Sequence, residues 1–135
     1  MISEELINAY METDYFINNT SIPLKINKYH SYLQTIYNNY NKNTCAYITA
    51  YNPYSEQVDI NINIKNNESL KLLLKENNYK YIGGYGYHPS NEWEKEYSFL
   101  IIGINYDEAC EIGKKYNQTA ILWCDFDCIP KLILL

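Results

Sequence analysis

The side chains able to do chemistry in this 135-residue chain are two histidines, four cysteines and sixteen Asp and Glu residues, and none falls into a spacing that dictates a reaction. Cys124 and Cys128 are separated by Asp125-Phe126-Asp127, so the C-x-x-C pair of a structural zinc ribbon is missing. Cys45 and Cys110 sit inside apolar patterns. A zinc site would have to gather all four thiols or recruit His30 or His88, and the simpler reading is four small buried hydrophobes. Asp125 and Asp127 alternate, which on a strand would aim both carboxylates the same way toward a divalent cation. They suit equally the solvated face of a turn before Pro130. Gly83-Gly84-Tyr85-Gly86 lacks the Gly-Lys-Ser/Thr of a phosphate loop and runs into Tyr87-His88-Pro89, so it reads as a bulge or a place of close backbone approach. His88, with Glu92, Trp93, Glu94 and Glu96 nearby, is an acid–base neighbourhood or an ordinary surface loop. No metal and no cofactor is expected.

Composition narrows the partners. Hydrophobic residues are 47% and charged residues 20%, as in globular proteins, and the net charge is −5. All eleven basic residues are lysines. An acidic chain without arginine lacks both the phosphate-neutralising charge and the bidentate fork used on guanine, which makes nucleic acid a poor candidate. Heavy use of Asn, Ile, Lys and Tyr points to A/T-rich codons, as in a low-G+C genome or a mobile element. The acidic start Met1-Ile2-Ser3-Glu4-Glu5 has no signal-peptide character, and no apolar run is long enough to cross a bilayer. A cytoplasmic location with reduced thiols is the expectation.

The elements that must position any site follow from periodicity. Ser3 caps a helix with Leu6, Ile7, Tyr10 and Met11 on one face. Residues 15–17 and 22–26 read as a hairpin. A helix covers 28–40, and a buried strand covers 45–51 and stops at Asn52-Pro53. Residues 58–64 alternate strictly, as an edge strand or an extended loop would, before Asn66 or Asn67 caps a helix carrying Leu70, Leu73 and Leu74. Residues 79–87 are β-rich, 97–104 have the character of a central strand buried on both faces, and Asn105 opens a helix with Glu108 at the capping-box position. Strands at 119–126 and 131–135 close the chain. The order α-β-β-α-β-α-β-β-α-β-β predicts one α+β domain over residues 1–135, a central mixed sheet with three to four helices packed on it.

Four segments together resemble a known family. They are Thr49-Ala50-Tyr51-Asn52-Pro53 with Ser55; Asn63 with Leu70; Gly84, Gly86 and Trp93 with Glu96-Tyr97-Ser98-Phe99-Leu100 and Gly103; and Ala109 followed by Gln118-Thr119-Ala120-Ile121-Leu122-Trp123. In this order they are similar to the bacterial family catalogued as domain of unknown function 3293. Where that pattern carries a basic residue shortly after its helix-opening Asn, this chain has Asn66. The resemblance supplies no activity, but it draws attention to polar residues beside apolar strands: Asn52, Ser55, Asn63, Glu96, Ser98 and Gln118. Strand ends are where ligand crevices form in α/β sheets. The alternative is purely structural, with Asn52 bonded to its turn, Gln118 capping a helix and Glu96 paired with Lys80 or Lys95.

Three function classes follow. The first is a binding domain whose polar pocket, built from those six residues, takes a small or nucleotide-like ligand. The second is a protein-interaction module, such as a phage or mobile-element inhibitor of a host defence protein, suggested by sixteen tyrosines and two tryptophans. The third is a small hydrolase-type enzyme using Glu96 or His88.

Overall fold

The structure is a computed structural model that describes residues 2–90 and 94–135. Helix α1 (Glu4–Glu12) starts where Ser3 Oγ accepts from the Leu6 N–H at 3.1 Å. Strand β1 (Asp14–Ile17) follows at once. The expected hairpin partner at 22–26 shrinks to a single bridge between Tyr15 and Leu24. The next hydrogen-bonded pair would be Ile17 with Ile22, but Ile17 O accepts from the Thr20 N–H, the Ile22 N–H donates to Thr20 Oγ1, and Ile22 O is bonded to the His30 ring, so the ladder does not continue. Helix α2 (Ser31–Tyr40) ends on Asn41 in the left-handed conformation, φ 53°, a position Asn tolerates because its short polar side chain can bond locally.

Strand β2 (Cys45–Thr49) leads through a single 3-10 turn at Pro53–Ser55 to helix α3 (Ile60–Glu76). The strict alternation of residues 58–64 is therefore helix from Ile60 onward, with only Val58 and Asp59 in the extended lead-in. Asp59, which accepts from the Asn61 N–H at 2.8 Å, is its cap in place of Asn66 or Asn67. Ile60, Ile62 and Ile64 are 43%, 49% and 48% exposed, so their alternation reports no buried face. Strands β3 (Lys80–Tyr87) and β4 (Glu96–Ile102) form a hairpin. Helix α4 (Tyr106–Lys115) starts at the expected cap, Asn105 accepting from the Glu108 N–H at 2.8 Å. Strands β5 (Ala120–Cys124) and β6 (Pro130–Leu134) finish the chain.

The six strands make one sheet in the order β1-β3-β4-β2-β5-β6. Every pairing is antiparallel, where the alternation of helices and strands had left room for parallel pairs. Helices cover both faces, completing the α+β arrangement. One face carries Tyr47, Leu100, Leu122 and Cys124 against Leu33, Ile36 and Tyr37 of α2. The other carries Ala46, Ile48, Phe99 and Ile101 against Leu70 and Leu74 of α3 and Ala109 and Ile112 of α4. Strand β4 is buried on both faces from Ser98 onward, which is why its sequence reads as continuous apolar character rather than alternation. Burial of each such Leu or Ile contributes roughly 1.5–3 kcal/mol. Among the described residues no helix is long and apolar enough to cross a membrane.

The cysteines belong to this packing. Cys45, Cys124 and Cys128 are buried free thiols, and Cys45 lies opposite Cys124 across the β2–β5 pair. A hydrogen bond to Cys45, together with burial, pushes the Cys124 thiol well up, which keeps it an apolar filler rather than a thiolate. The carboxylates of Asp125 and Asp127 accept from the backbone N–H groups of Phe126 and Ile129, and Asp127 also pairs with Lys131 at 3.3 Å. They stabilise the turn into β6.

Candidate functional site

The site lies on the Tyr47 face, at the end of the sheet where β2 stops and β4 and β5 begin. There α2 no longer covers the strands and α1 crosses instead. Beneath α1 the sheet presents Gly86, Ser98 and Ala120, whose small side chains leave a cavity of about 110 Å³. The expected crevice at the strand ends is thus a gap created by small residues in the sheet and roofed by a helix. Five of the six residues singled out in the sequence line it: Asn52, Ser55, Glu96, Ser98 and Gln118. Asn63 does not line it. It stands behind Asn52 in the first turns of α3, buried.

The backbone bends sharply to bring these groups together. Asn52 is in the left-handed region at φ 49°, and Tyr54 and Ser55 follow at 60° and 59°. For residues other than Gly such conformations cost about 1–3 kcal/mol each and persist only where surrounding bonds hold them. Here Asn63 Oδ1 accepts the Asn52 N–H at 2.7 Å, Asn63 Nδ2 donates to Asn52 Oδ1 at 2.9 Å, and Tyr54 N–H reaches Asn117 O at 2.7 Å. The Val58 N–H also donates to Asn52 Oδ1. A backbone N–H must face an oxygen, so the amide orientation is fixed, and Nδ2 is left to donate to Glu96 Oε2 at 2.7 Å.

Glu96 is half-buried, and Asn52 is the one hydrogen-bond partner of its carboxylate among the described residues. The pairing with Lys80 or Lys95 does not form; the Lys95 ammonium sits 4.5 Å from the centre of the Tyr85 ring instead. Burial raises the Glu96 carboxyl, and the Asn52 bond offsets that only in part. Gln118 Nε2 donates to Tyr51 O at 3.0 Å and Tyr116 O at 3.3 Å. It therefore ties off the end of α4, as one of the structural readings held, while its Oε1 keeps no partner among the described residues.

The hydroxyls form their own chain. Ser55 shares hydrogen bonds with Tyr10 at 2.9 Å and Thr119 at 2.7 Å, and Ser98 donates to Glu96 O at 2.9 Å. Among the described residues neither serine is hydrogen-bonded to an imidazole or a carboxylate, so neither has there the adjacent base that a nucleophile requires. His88 stands at the cavity mouth, bonded to Glu12 at 3.1 Å and Ser90 at 2.7 Å. Glu92 and Trp93, noted beside it in the sequence, lie outside the described residues.

Sequence reasoning missed the aromatic wall. Tyr10 from α1, Tyr15 from β1, and Tyr47 and Tyr51 from β2 and its exit all line the cavity. Burial is the main cause that raises each of these phenols, and the Glu96 charge adds to it. Tyr47 Oη donates to Phe16 O at 2.7 Å, passing over Gly84, where a Cβ would fall 3.1 Å from that hydroxyl and 2.0 Å from the Phe16 oxygen. The glycines are thus a place of close backbone approach, as one sequence reading proposed. The available signal was Gly84 and Gly86 at alternate positions, facing the alternation Tyr47, Thr49, Tyr51.

Searches of curated proteins and of solved structures each found no match. The family model described as "Protein of unknown function (DUF3293)" matches residues 48–121, more than half of the chain. That span contains all six polar residues named above and stops short of α1 and β1. The chain belongs to this family of proteins of unknown function, DUF3293.

Proposed function

We propose that this chain is a small-molecule binding domain whose site is the cavity beneath α1. One observation carries the reading: Asn52 and Ser55 of the turn after β2, Glu96 and Ser98 of β4, and Gln118 after α4 come from three segments and converge on one cavity, with a strained backbone turn aiming two of them. Enclosed pockets with a few convergent polar groups in an aromatic wall are the usual form of a ligand site. The interaction-module reading rests on exposed side chains such as Tyr54 and Phe126, 68% and 72% exposed. A broad aromatic or acidic face with no pocket would favour it, so the cavity weighs against it. The enzyme reading lacks an activated nucleophile among the described residues.

The test is a fragment screen by protein NMR with compounds of about four to eight non-hydrogen atoms, read on the side-chain amide signals of Asn52 and Gln118. Binders should move both amides together. If no compound moves them, or every binder acts elsewhere on the surface, the reading fails.

A further inference from the structure

Resting on that reading, we infer that the group received by the cavity is a small organic cation, a primary ammonium on a short apolar stem. The cavity presents acceptors. Glu96 Oε1 and Gln118 Oε1 have no hydrogen-bond partner among the described residues, because Asn52 engages the other Glu96 oxygen and two carbonyls engage Gln118 Nε2. Ser98 already donates its proton to Glu96 O. Two open acceptors, one of them a carboxylate oxygen, call for a ligand that brings donors, and an ammonium brings three and accepts none.

Charge agrees with the hydrogen-bond count. Glu96 and Glu94 line the cavity, and among the described residues no lysine does. The other titratable groups facing it are the phenols of Tyr10, Tyr15, Tyr47 and Tyr51, with Tyr87 and His88 at the mouth. Among the described residues the one side chain there able to carry positive charge is His88, already bonded to Glu12, which weighs against phosphate-bearing nucleotides within the small or nucleotide-like range expected from sequence. Aromatic rings beside a carboxylate are the surroundings in which ammonium groups are held. Size sets the stem. A cavity of about 150 Å³ holds a benzene, so one of about 110 Å³, open at its mouth, suits a chain of a few carbons better than a nucleobase.

The probes are butylammonium, 1-butanol and butyrate, titrated against the protein while the Asn52 and Gln118 side-chain amides are followed. Butylammonium should bind at least about tenfold more tightly than butanol, with butyrate weakest. Its affinity should fall as pH is lowered through the Glu96 titration. In Glu96→Gln, which keeps the shape and the Asn52 contact, the ammonium preference and that pH dependence should both vanish. Equal binding of butanol and butylammonium, or a preference for butyrate, overturns the cation while leaving a ligand site in place. Silence of all three probes also overturns it, and the broader fragment screen then decides the pocket itself. Should Glu96→Gln fold poorly, the pH profile of the unaltered protein decides instead. Butylammonium affinity that falls with pH supports the cation, and affinity that ignores pH overturns it.

Discussion

Asn63 holds Asn52 at two points, accepting its backbone N–H at 2.7 Å and donating to its side-chain oxygen at 2.9 Å. The pair joins the first turns of α3 to the turn that ends β2. Asn63 is thus a positioning residue: it never faces the cavity, yet it determines where Asn52 Nδ2 points and therefore which Glu96 oxygen stays free.

Asn63→Ala leaves the Asn52 N–H without its acceptor in a half-buried turn. An unsatisfied group of this kind costs about 1–3 kcal/mol. Urea unfolding should show a loss of that size, and the Asn52 side-chain amide signal should broaden or shift in the folded variant. Stability within about 0.5 kcal/mol of the parent and an unmoved Asn52 signal would show that the turn holds itself.

Glu96→Gln separates structural from functional value. Burial raises the Glu96 carboxyl above its unfolded value. The folded state therefore keeps a proton that the unfolded state has released, and the contribution is fully present below the unfolded value. It is lost as pH rises through the folded value, so an ionised Glu96 weighs on the fold at neutral pH. Glutamine does not ionise. The variant should melt higher than the parent at pH 7–8, and the gap should close below about pH 4. A lower melting temperature at neutral pH would mean that the Asn52–Glu96 bond outweighs desolvation, and the carboxylate would then be structural.

Much of the site was legible because Asn52, Glu96 and Gln118 interrupt apolar strands at their ends, where a polar residue needs a reason. What stayed hidden depends on tertiary packing. Tyr10 and Tyr15 become walls only because α1 crosses the open end of the sheet, and no local pattern dictates that crossing. The alternation over residues 58–64 has the period of a strand, but those isoleucines face solvent and the decisive local signal was the Asp59 cap. The hairpin expected at 22–26 stopped after one bridge because the backbone groups of Ile17 and Ile22 are taken by Thr20 and His30. Sheet order was likewise out of reach: β2 pairs with β4 and β5, distant partners that sequence proximity cannot select.

Two glycines on one face of β3 should respond oppositely to the same substitution. At Gly84 a Cβ would lie 2.0 Å from Phe16 O and 3.1 Å from Tyr47 Oη. Backbone cannot yield by that much without opening the β1–β3 pair, so Gly84→Ala should cost at least the roughly 1–3 kcal/mol of an overpacked core. At Gly86 the nearest atoms would be Thr13 Cγ2 and Tyr15 Cδ1, both at 3.7 Å, which is ordinary contact. Gly86→Ala should change stability by less than about 1 kcal/mol while trimming the cavity. Equal effects in thermal unfolding would contradict the packing of β1 on β3.

Tyr10, Tyr15, Tyr37 and Tyr47 offer a test of the core at high pH. Burial raises all four phenols above the ordinary value of 10.0. In the unfolded chain the same phenols ionise near that value, so above it the unfolded state holds fewer protons than the folded state. Stability then falls as pH rises. A phenolate absorbance titration should therefore show two phases: an early gradual one from exposed rings, and a late cooperative one. The late phase should coincide with loss of the far-ultraviolet circular dichroism signal, because the buried rings ionise only when the sheet opens. Tyr47→Phe should shrink that late phase. A single smooth titration, complete before any loss of secondary structure, would mean that solvent reaches these phenols in the folded protein and that the aromatic wall is not closed.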